Sequence, residues 1–384
     1  MLTESAAVVG NRMFERFPNS NLSAGQWRRE VQTPRGGLMQ YVPVVDSQQK
    51  PLMPTTPARA RRWVRSGKAT PFFKKGVFCV RLNQQPSDTQ MQPVVVAIDP
   101  GSKREGFTVK SELHTYLNIE SHAVDWVKDA VTTRRQMRRG RRNRNTPCRQ
   151  NRCNRSIGRI PPSTKARWGW KLRIAVVLAK IFPVTHFRVE DIKAHCFGGR
   201  RWNKSFSPLQ VGKKWFYDEL RKLGLLRTNT GWETKKLRDA HGLKKSKNKL
   251  SEDFSAHCVD SWVMANDEVG GHTKPDNTDV MVIEPIRLHR RQLHRLQFSK
   301  GHIRKPYGGT RSEGFSRGSL VRHPKFGLCY VGGATKGRIS LHDVSTGKRL
   351  TQSAKPEDTK FLSFNTWRVA ASSPQLKLGV SAAT

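Results

Sequence analysis

Val94-Val95-Val96-Ala97-Ile98-Asp99-Pro100-Gly101 is the stretch on which the reading of this 384-residue chain turns. Five apolar residues run straight into an aspartate, and a Pro-Gly pair stops the run. An uninterrupted, mostly β-branched run predicts a strand buried on both faces, the central strand of an α/β sheet. Such a strand delivers its last residue to the sheet edge, where open α/β sheets place their ligands. Glu105-Gly106-Phe107-Thr108-Val109 predicts a return strand, so that Asp99 sits in a tight hairpin. On this stretch alone, Asp99 serves equally well as a cap for the turn at Pro100.

Two later stretches weigh on that choice. His186-Phe187-Arg188-Val189-Glu190-Asp191-Ile192 predicts a second core strand with carboxylates at its exit. Glu252 to Val269 predicts a helix with Asp253 near its start and Gly270-Gly271 at its end. His257 and Asp260 lie three residues apart in it, hence on one helical face. Two strand-end carboxylates and one helix carboxylate form an all-oxygen donor set suited to Mg²⁺ or Mn²⁺. Two such ions ~3.5–4 Å apart activate water and stabilise a leaving oxygen in phosphodiester cleavage. His257 is suited to orienting or deprotonating the attacking water. Taken singly, Glu190 reads as well as a surface residue, and His257 as a satisfied helix histidine.

Charge narrows the class of partner. The formal net charge is +42, and a compact body carrying it alone repels itself, which calls for a polyanionic partner. Ala130 to Arg155 holds ten arginines with no lysine and no acid. Its first half, up to Asn145, can form one helix with arginine on nearly every face. The planar arginine fork suits bidentate phosphate recognition, so this helix is expected to be folded firmly by nucleic acid. The bland alternative is a solvated charge run.

The rest of the chain supplies organisation. Tyr41 to Val45 and Val77 to Leu82 predict strands, and Pro57 to Gly67 a basic helix punctuated by its proline and glycine. Leu113 to Ile119 predicts a third strand after the hairpin, Trp168 to Phe182 a buried helix, and Pro208 to Leu223 a helical piece. Beyond Val280 come a further strand, the basic segment RLHRRQLHRLQF, and Gly/Pro-rich loops around 305–309. The short runs GSLVRH, GLCYVGG, GRISLHD, KRLTQ and FLSFNTWRV then predict a small antiparallel barrel. No apolar run approaches ~20 residues, and the first residues lack a secretory pattern. The six cysteines include no C-x-x-C pair, which points to reduced cytosolic thiols rather than a disulfide framework or zinc knuckle.

With these motifs assembled, the chain resembles a known family. AIDPGS at 98, RVEDIKA at 188 and AHCVDSW at 256 resemble the three split motifs of RuvC-type, RNase H-like nucleases. PLMP at 51, PARARRWVRSGKA after it, and the arginine-rich bridge helix resemble the transposon-encoded IscB and IsrB proteins, relatives of the large CRISPR effector nucleases. The likeness runs from about Tyr41 to the C-terminus. IscB-type proteins carry an HNH nuclease domain between the second and third motifs. Here the 66 residues from 191 to 256 hold just His195 and His241 and no H…N…H core. The branch resembled is therefore IsrB, which lacks HNH and belongs to the OMEGA systems.

The resemblance implies an α/β fold with a split RuvC core, a bridge helix, a small N-terminal PLMP domain and a C-terminal barrel-like domain. The expected divisions are an extension of unknown role at 1–37, PLMP at 38–92, RuvC motif one at 93–124 and the bridge helix at 125–155. RuvC motif two follows at 156–195, a helical segment without HNH at 196–250, motif three at 251–285, and C-terminal interaction domains at 286–384. Met39 is a candidate start. A guide ωRNA would pair with one strand of a DNA duplex beside a target-adjacent motif, and the RuvC site would nick the displaced strand with two Mg²⁺ ions, for which Mn²⁺ can substitute. Carried over by motif, Asp99, Glu190 and Asp260 hold metal and His257 assists. Arg134, Arg135, Arg138, Arg139, Arg141, Arg142 and Arg144 contact nucleic-acid backbone, reading shape. The implied setting is a monomeric ribonucleoprotein in the prokaryotic cytoplasm, on the nucleoid when bound to DNA, with no membrane partner. Three alternatives stay in view: a non-catalytic binder of the same fold, an RNA-independent junction resolvase, and an actin-like ATPase, whose second D-x-G hairpin is missing here.

Overall fold

The computed structural model of the protein describes residues 40–86, 90–143, 160–191, 208–248, 250–287, 296–297, 302–303 and 311–369. The 1–37 extension, Arg144, Cys148, Cys153, His195, the segment 192–207 and most of the 288–310 basic region lie outside them, as does the side chain of Arg141.

The described chain opens on a small sheet. β1 (Val42–Val45), β2 (Pro51–Thr55), α1 (Pro57–Arg65), β3 (Ala69–Lys74) and β4 (Val77–Leu82) give four strands in the order β2-β1-β4-β3. The PLMP run is β2, an edge strand, where proline is tolerated because one side of the ladder needs no donors. Neither β2 nor β3 was expected, since Pro51, Pro54 and Pro71 interrupt their patterns. Lys75 and Gly76, at φ 52° and 87°, make the tight turn from β3 to β4.

The central body follows. Its elements are β5 (Val94–Asp99), β6 (Arg104–Lys110), β7 (Thr115–His122), α2 (Trp126–Asn143), α3 (Pro162–Ala179), β8 (Val184–Asp191), α4 (Lys213–Arg221), β9 (Leu225–Thr230), α5 (Gly231–Ala240), α6 (Phe254–His257), α7 (Val259–Val269) and β10 (Val280–Pro285). Two short hairpins come next, β11 (Leu296–Gln297) with β12 (His302–Ile303) and β13 (Arg311–Ser312) with β14 (Phe315–Ser316). The last strands are β15 (Ser319–His323), β16 (Gly327–Thr335), β17 (Arg338–Asp343), β18 (Arg349–Ala354), β19 (Lys360–Phe364) and β20 (Trp367–Val369).

Seven strands form the central sheet in the order β20-β10-β7-β6-β5-β8-β9. β5, β6 and β7 are an antiparallel meander, and β8 and β9 run parallel to β5. The continuous apolar run is explained by burial on both faces. Val94, Val96 and Ile98 pack with Trp168 and Ile174 of α3, whereas Val95 and Ala97 meet Met264 and Ala265 of α7. All five strand residues are fully buried.

Two details fix the turn after Asp99. A Cβ at Gly106, the residue paired with Asp99, would stand 1.8 Å from the His257 carbonyl oxygen. Glycine there lets the α6–α7 backbone lie directly on the hairpin. Lys171 of α3, fully buried, donates from Nζ to Glu105 Oε1 at 2.6 Å and to the Gly101 carbonyl at 3.4 Å. Burial pushes Glu105 up to about 7, although the Lys171 charge pulls it down. In the native protein that raised value gives stability fully present below about pH 4.5 and lost as pH rises through about 7. Replacing Lys171 with methionine leaves the carboxylate unpaired inside the core, and breaking such a pair costs about 3 kcal/mol. The loss is expected to be smallest near pH 5 and to grow above pH 7 in denaturant unfolding, with Glu105→Gln in the same chain recovering most of it.

The C-terminal strands form a five-stranded antiparallel sheet, β18-β17-β16-β15-β19. Among the described residues its edge strands β18 and β19 are not paired to each other, so the expected barrel is described as an open sheet. The expected single run FLSFNTWRV is divided. β19 pairs with β15, while β20 crosses to the central sheet and pairs antiparallel with β10. At the crossing, Lys75 donates from its backbone to Ser363 Oγ at 3.1 Å and from Nζ to the Phe364 carbonyl at 2.6 Å. Trp367, 1% exposed, packs edge-on against Trp170 of α3.

Candidate metal centre

Asp99, Glu190 and Asp260 converge where the strand pair β5–β8 ends. One carboxylate oxygen from each lies within 4.8 Å of the others. Asp99 and Glu190 reach this point because parallel pairing sets Ile98 beside Val189, so both strands leave the sheet together. Asp260 comes from the first turn of α7. The expected single helix over 252–269 is broken at Cys258 into α6 and α7, with α7 starting at Val259. His257 therefore ends α6 while Asp260 opens α7. His257 is nearly buried and is not one of the three groups that converge.

Two cations hold this cluster. Lys245 Nζ donates to Asp260 Oδ2 at 2.5 Å and to Asp99 Oδ2 at 3.0 Å, bridging two carboxylates. Arg238 of α5 donates to the other oxygen, Asp260 Oδ1, at 2.5 Å. Burial, then the neighbouring Asp99 and Asp260 charges, push Glu190 well above the ordinary carboxylate range, so it keeps its proton at neutral pH. Burial lowers Lys245, but the two aspartates outweigh it and hold the ammonium charged. α5 is seated by a capping box, Thr230 with Glu233, and Gly231 abuts Glu190 Oε1, which a Cβ would approach to 3.0 Å.

Neither Lys245 nor Arg238 was found from sequence. Lys245 sits in a run with Lys244, Lys247 and Lys249, and nothing in the run distinguishes it. β9 and α5, which carry the approach to Arg238, had no clear period.

The donor chemistry fits a divalent cation. Two ion-paired aspartates and one protonated glutamate, balanced by two side-chain cations, make a neutral cluster. Exchanging one ammonium and one proton for a divalent ion keeps it neutral, and hard oxygen ligands suit Mg²⁺ or Mn²⁺. Lys245 and such an ion compete for the same oxygens. Lys245→Met is accordingly expected to tighten Mn²⁺ binding at least about tenfold in calorimetric titration, equivalent to roughly 1.4 kcal/mol. Affinity should rise with pH in both proteins, because Glu190 must lose its proton. Unchanged affinity in Lys245→Met would exclude that competition.

The arginine helix is anchored at one end. Of its apolar residues, Trp126 and Val127 pack against the main core. Arg135, Arg138, Arg139 and Arg142 are exposed and Arg134 is half-buried. None of these five side chains makes a hydrogen bond or ion pair with another described residue. The helix ends at Asn143 among the described residues. His241, the other histidine weighed between motifs two and three, donates from Nδ1 to the Thr273 carbonyl at 3.0 Å, accepts at Nε2 from Asn266 Nδ2 at 3.3 Å and lies edge-on to Trp262, a structural setting.

Residues 42–196, less than half of the chain, match the family described as RRXRR protein. That span contains Asp99, Glu190 and α2, and Arg138-Arg139-Gly140-Arg141-Arg142 spells the pattern in the family's name. No curated protein matches. Among solved structures, T. thermophilus RuvC in complex with Holliday junction substrate is 14% identical, with 47% of this chain and 97% of that chain covered at a TM-score of 0.27. No residue role is transferred across that likeness. Among the described residues, no helix is long and apolar enough to cross a membrane.

Proposed function

We propose that this protein is an RNA-guided DNA nickase of the IsrB kind, with one RuvC-type site in an RNase H-like core. The observation that carries the reading is the convergence of Asp99, Glu190 and Asp260, oxygen to oxygen within 4.8 Å, at the ends of two parallel strands and a helix. The meander β5–β7 followed by parallel β8 and β9 supports the core assignment. The RRXRR match fits a RuvC-containing relative.

In this reading the three carboxylates hold Mg²⁺. When bound, the metal supplies Lewis-acid stabilisation of charge on phosphate oxygens and a more acidic water. Arg238 keeps Asp260 turned into the site by holding its second oxygen. The Lys171–Glu105 pair keeps the turn after Asp99 in place from behind. His257, three residues before Asp260, takes the role of orienting the attacking water. The α2 arginines bind the guide–target duplex through its backbone, which accounts for Arg134, Arg135, Arg138, Arg139 and Arg142 making no hydrogen bond or ion pair among the described residues. The sheet of β1–β4 is the PLMP domain, and the C-terminal sheet contacts the RNA scaffold and target-adjacent motif. A single carboxylate cluster among the described residues supports nicking of one strand.

The test is a strand-resolved assay on supercoiled target plasmid with Mg²⁺ and the protein co-expressed with its flanking non-coding RNA. Nicked circles cut on the non-target strand support the proposal. Linear product would mean a second cutting centre, and stable RNA binding without cleavage would mean a non-catalytic binder.

A further inference from the structure

Trp232 is the most exposed tryptophan among the described residues, at 64%. It sits in the first turn of α5, one residue after Gly231, whose backbone abuts Glu190 Oε1. From the 3.0 Å approach at Gly231, one Cα–Cβ bond and the 3.8 Å spacing of successive Cα atoms, the Trp232 Cα lies within roughly 8 Å of that oxygen. Lys236, one turn on, holds its ammonium 3.8 Å from the indole centroid. Lys235, three residues after Trp232 on the same helix, is exposed, and so are Lys244 and Lys247, which in sequence flank the Lys245 that bridges Asp99 and Asp260. Thr234 is the buried residue of α5 and faces inward, so the indole takes no part in seating the helix.

An exposed indole inside a cationic rim, one nucleotide's reach from a carboxylate cluster, matches how proteins hold single strands. Lysines track the backbone and an aromatic ring stacks on a base. A ring can stack only on a base whose face is open, which paired bases inside a duplex do not offer. We infer that Trp232 is the stacking platform for an unpaired base next to the scissile phosphate, and that the α5 rim selects single-stranded nucleic acid for the site. This deepens the nuclease reading and rests on it. The lysine-backed ring also makes the contact tolerant of base identity, since every base presents a π face.

The test uses the protein purified with its co-expressed RNA and target duplexes with either an intact displaced strand or one abasic nucleotide near the cut. Trp232→Ala is expected to lower kcat/KM about tenfold on the intact strand and by less than twofold when the neighbouring base is missing. Trp232→Phe should restore most of the rate. Equal losses on both substrates, or no loss, would overturn the inference. A second arm does not depend on cleavage: in Asp99→Asn, 4-thiothymidine placed along the displaced strand should photocrosslink to the peptide containing Trp232 from the nucleotide beside the cut. Crosslinks from none of the unpaired positions would overturn it even where the plasmid is nicked. Absence of wild-type cleavage would strike the nuclease reading, leaving the crosslink to decide whether Trp232 meets a single strand.

Discussion

Asp99→Ala is expected to abolish cleavage by at least about a thousandfold while leaving the ribonucleoprotein intact. The residue ends β5 beside Glu190 and shares Lys245 with Asp260, so its loss removes one of three oxygens on which a metal would rest. A metal supplies several kcal/mol of transition-state stabilisation, and each 1.36 kcal/mol is a factor of ten in rate. The fold should tolerate the change, because the apolar face of β5 ends at Ile98 and the turn is held independently through Gly101 and Glu105. Single-turnover cleavage and RNA co-purification measure the two halves of the prediction. Residual cutting within tenfold of wild type would remove Asp99 from the catalytic set. Loss of RNA binding would show that it serves assembly.

The second large effect concerns the bridge helix. Changing Arg138, Arg139, Arg141 and Arg142 together to glutamine keeps helix propensity and removes four charges. If each neutralises one phosphate, the slope of log affinity against log salt should shrink by about 3 to 4 units. Counterion release on that scale is worth on the order of a thousandfold in affinity near 0.15 M salt and little near 1 M. Fluorescence anisotropy with the co-expressed RNA across a salt series reads both. A parallel downward shift with an unchanged slope would mean that the helix acts by shape and not by phosphate contact.

Much of this could be read in the chain because burial leaves a mark on residue type. Val94 to Ile98 is apolar without a break, since α3 and α7 cover both faces, and the carboxylates at its exit and at the exit of β8 followed from position alone. The hairpin partner Gly106 was in the expected return strand, but the need for glycine there came from a helix backbone 151 residues downstream. Lys245 and Arg238 were invisible because in a chain of net charge +42 a cation carries no information by its type. Their meaning lies in which carboxylate they meet. β2 and β3 were missed because prolines at sheet edges read as breakers, and β9 because Leu225 to Thr230 is half exposed and mostly polar. The break at Cys258 had no sequence signal, since its backbone remains helical, at φ −97° and ψ −14°.

The divided run at 360–369 also determines how the molecule comes apart. Within ten residues the chain forms an edge strand of the C-terminal sheet, accepts two hydrogen bonds from the turn of the N-terminal sheet, and becomes the outermost strand of the central one. Three sheets thus share one seam, and melting any of them should drag the others in a single cooperative transition. A chain cut after Glu357 keeps every carboxylate of the metal centre, yet β10 is left as an open edge beside a core that has lost Trp367. Such an edge invites pairing with another copy, and the truncated protein is expected to elute as aggregate in gel filtration where the full chain does not.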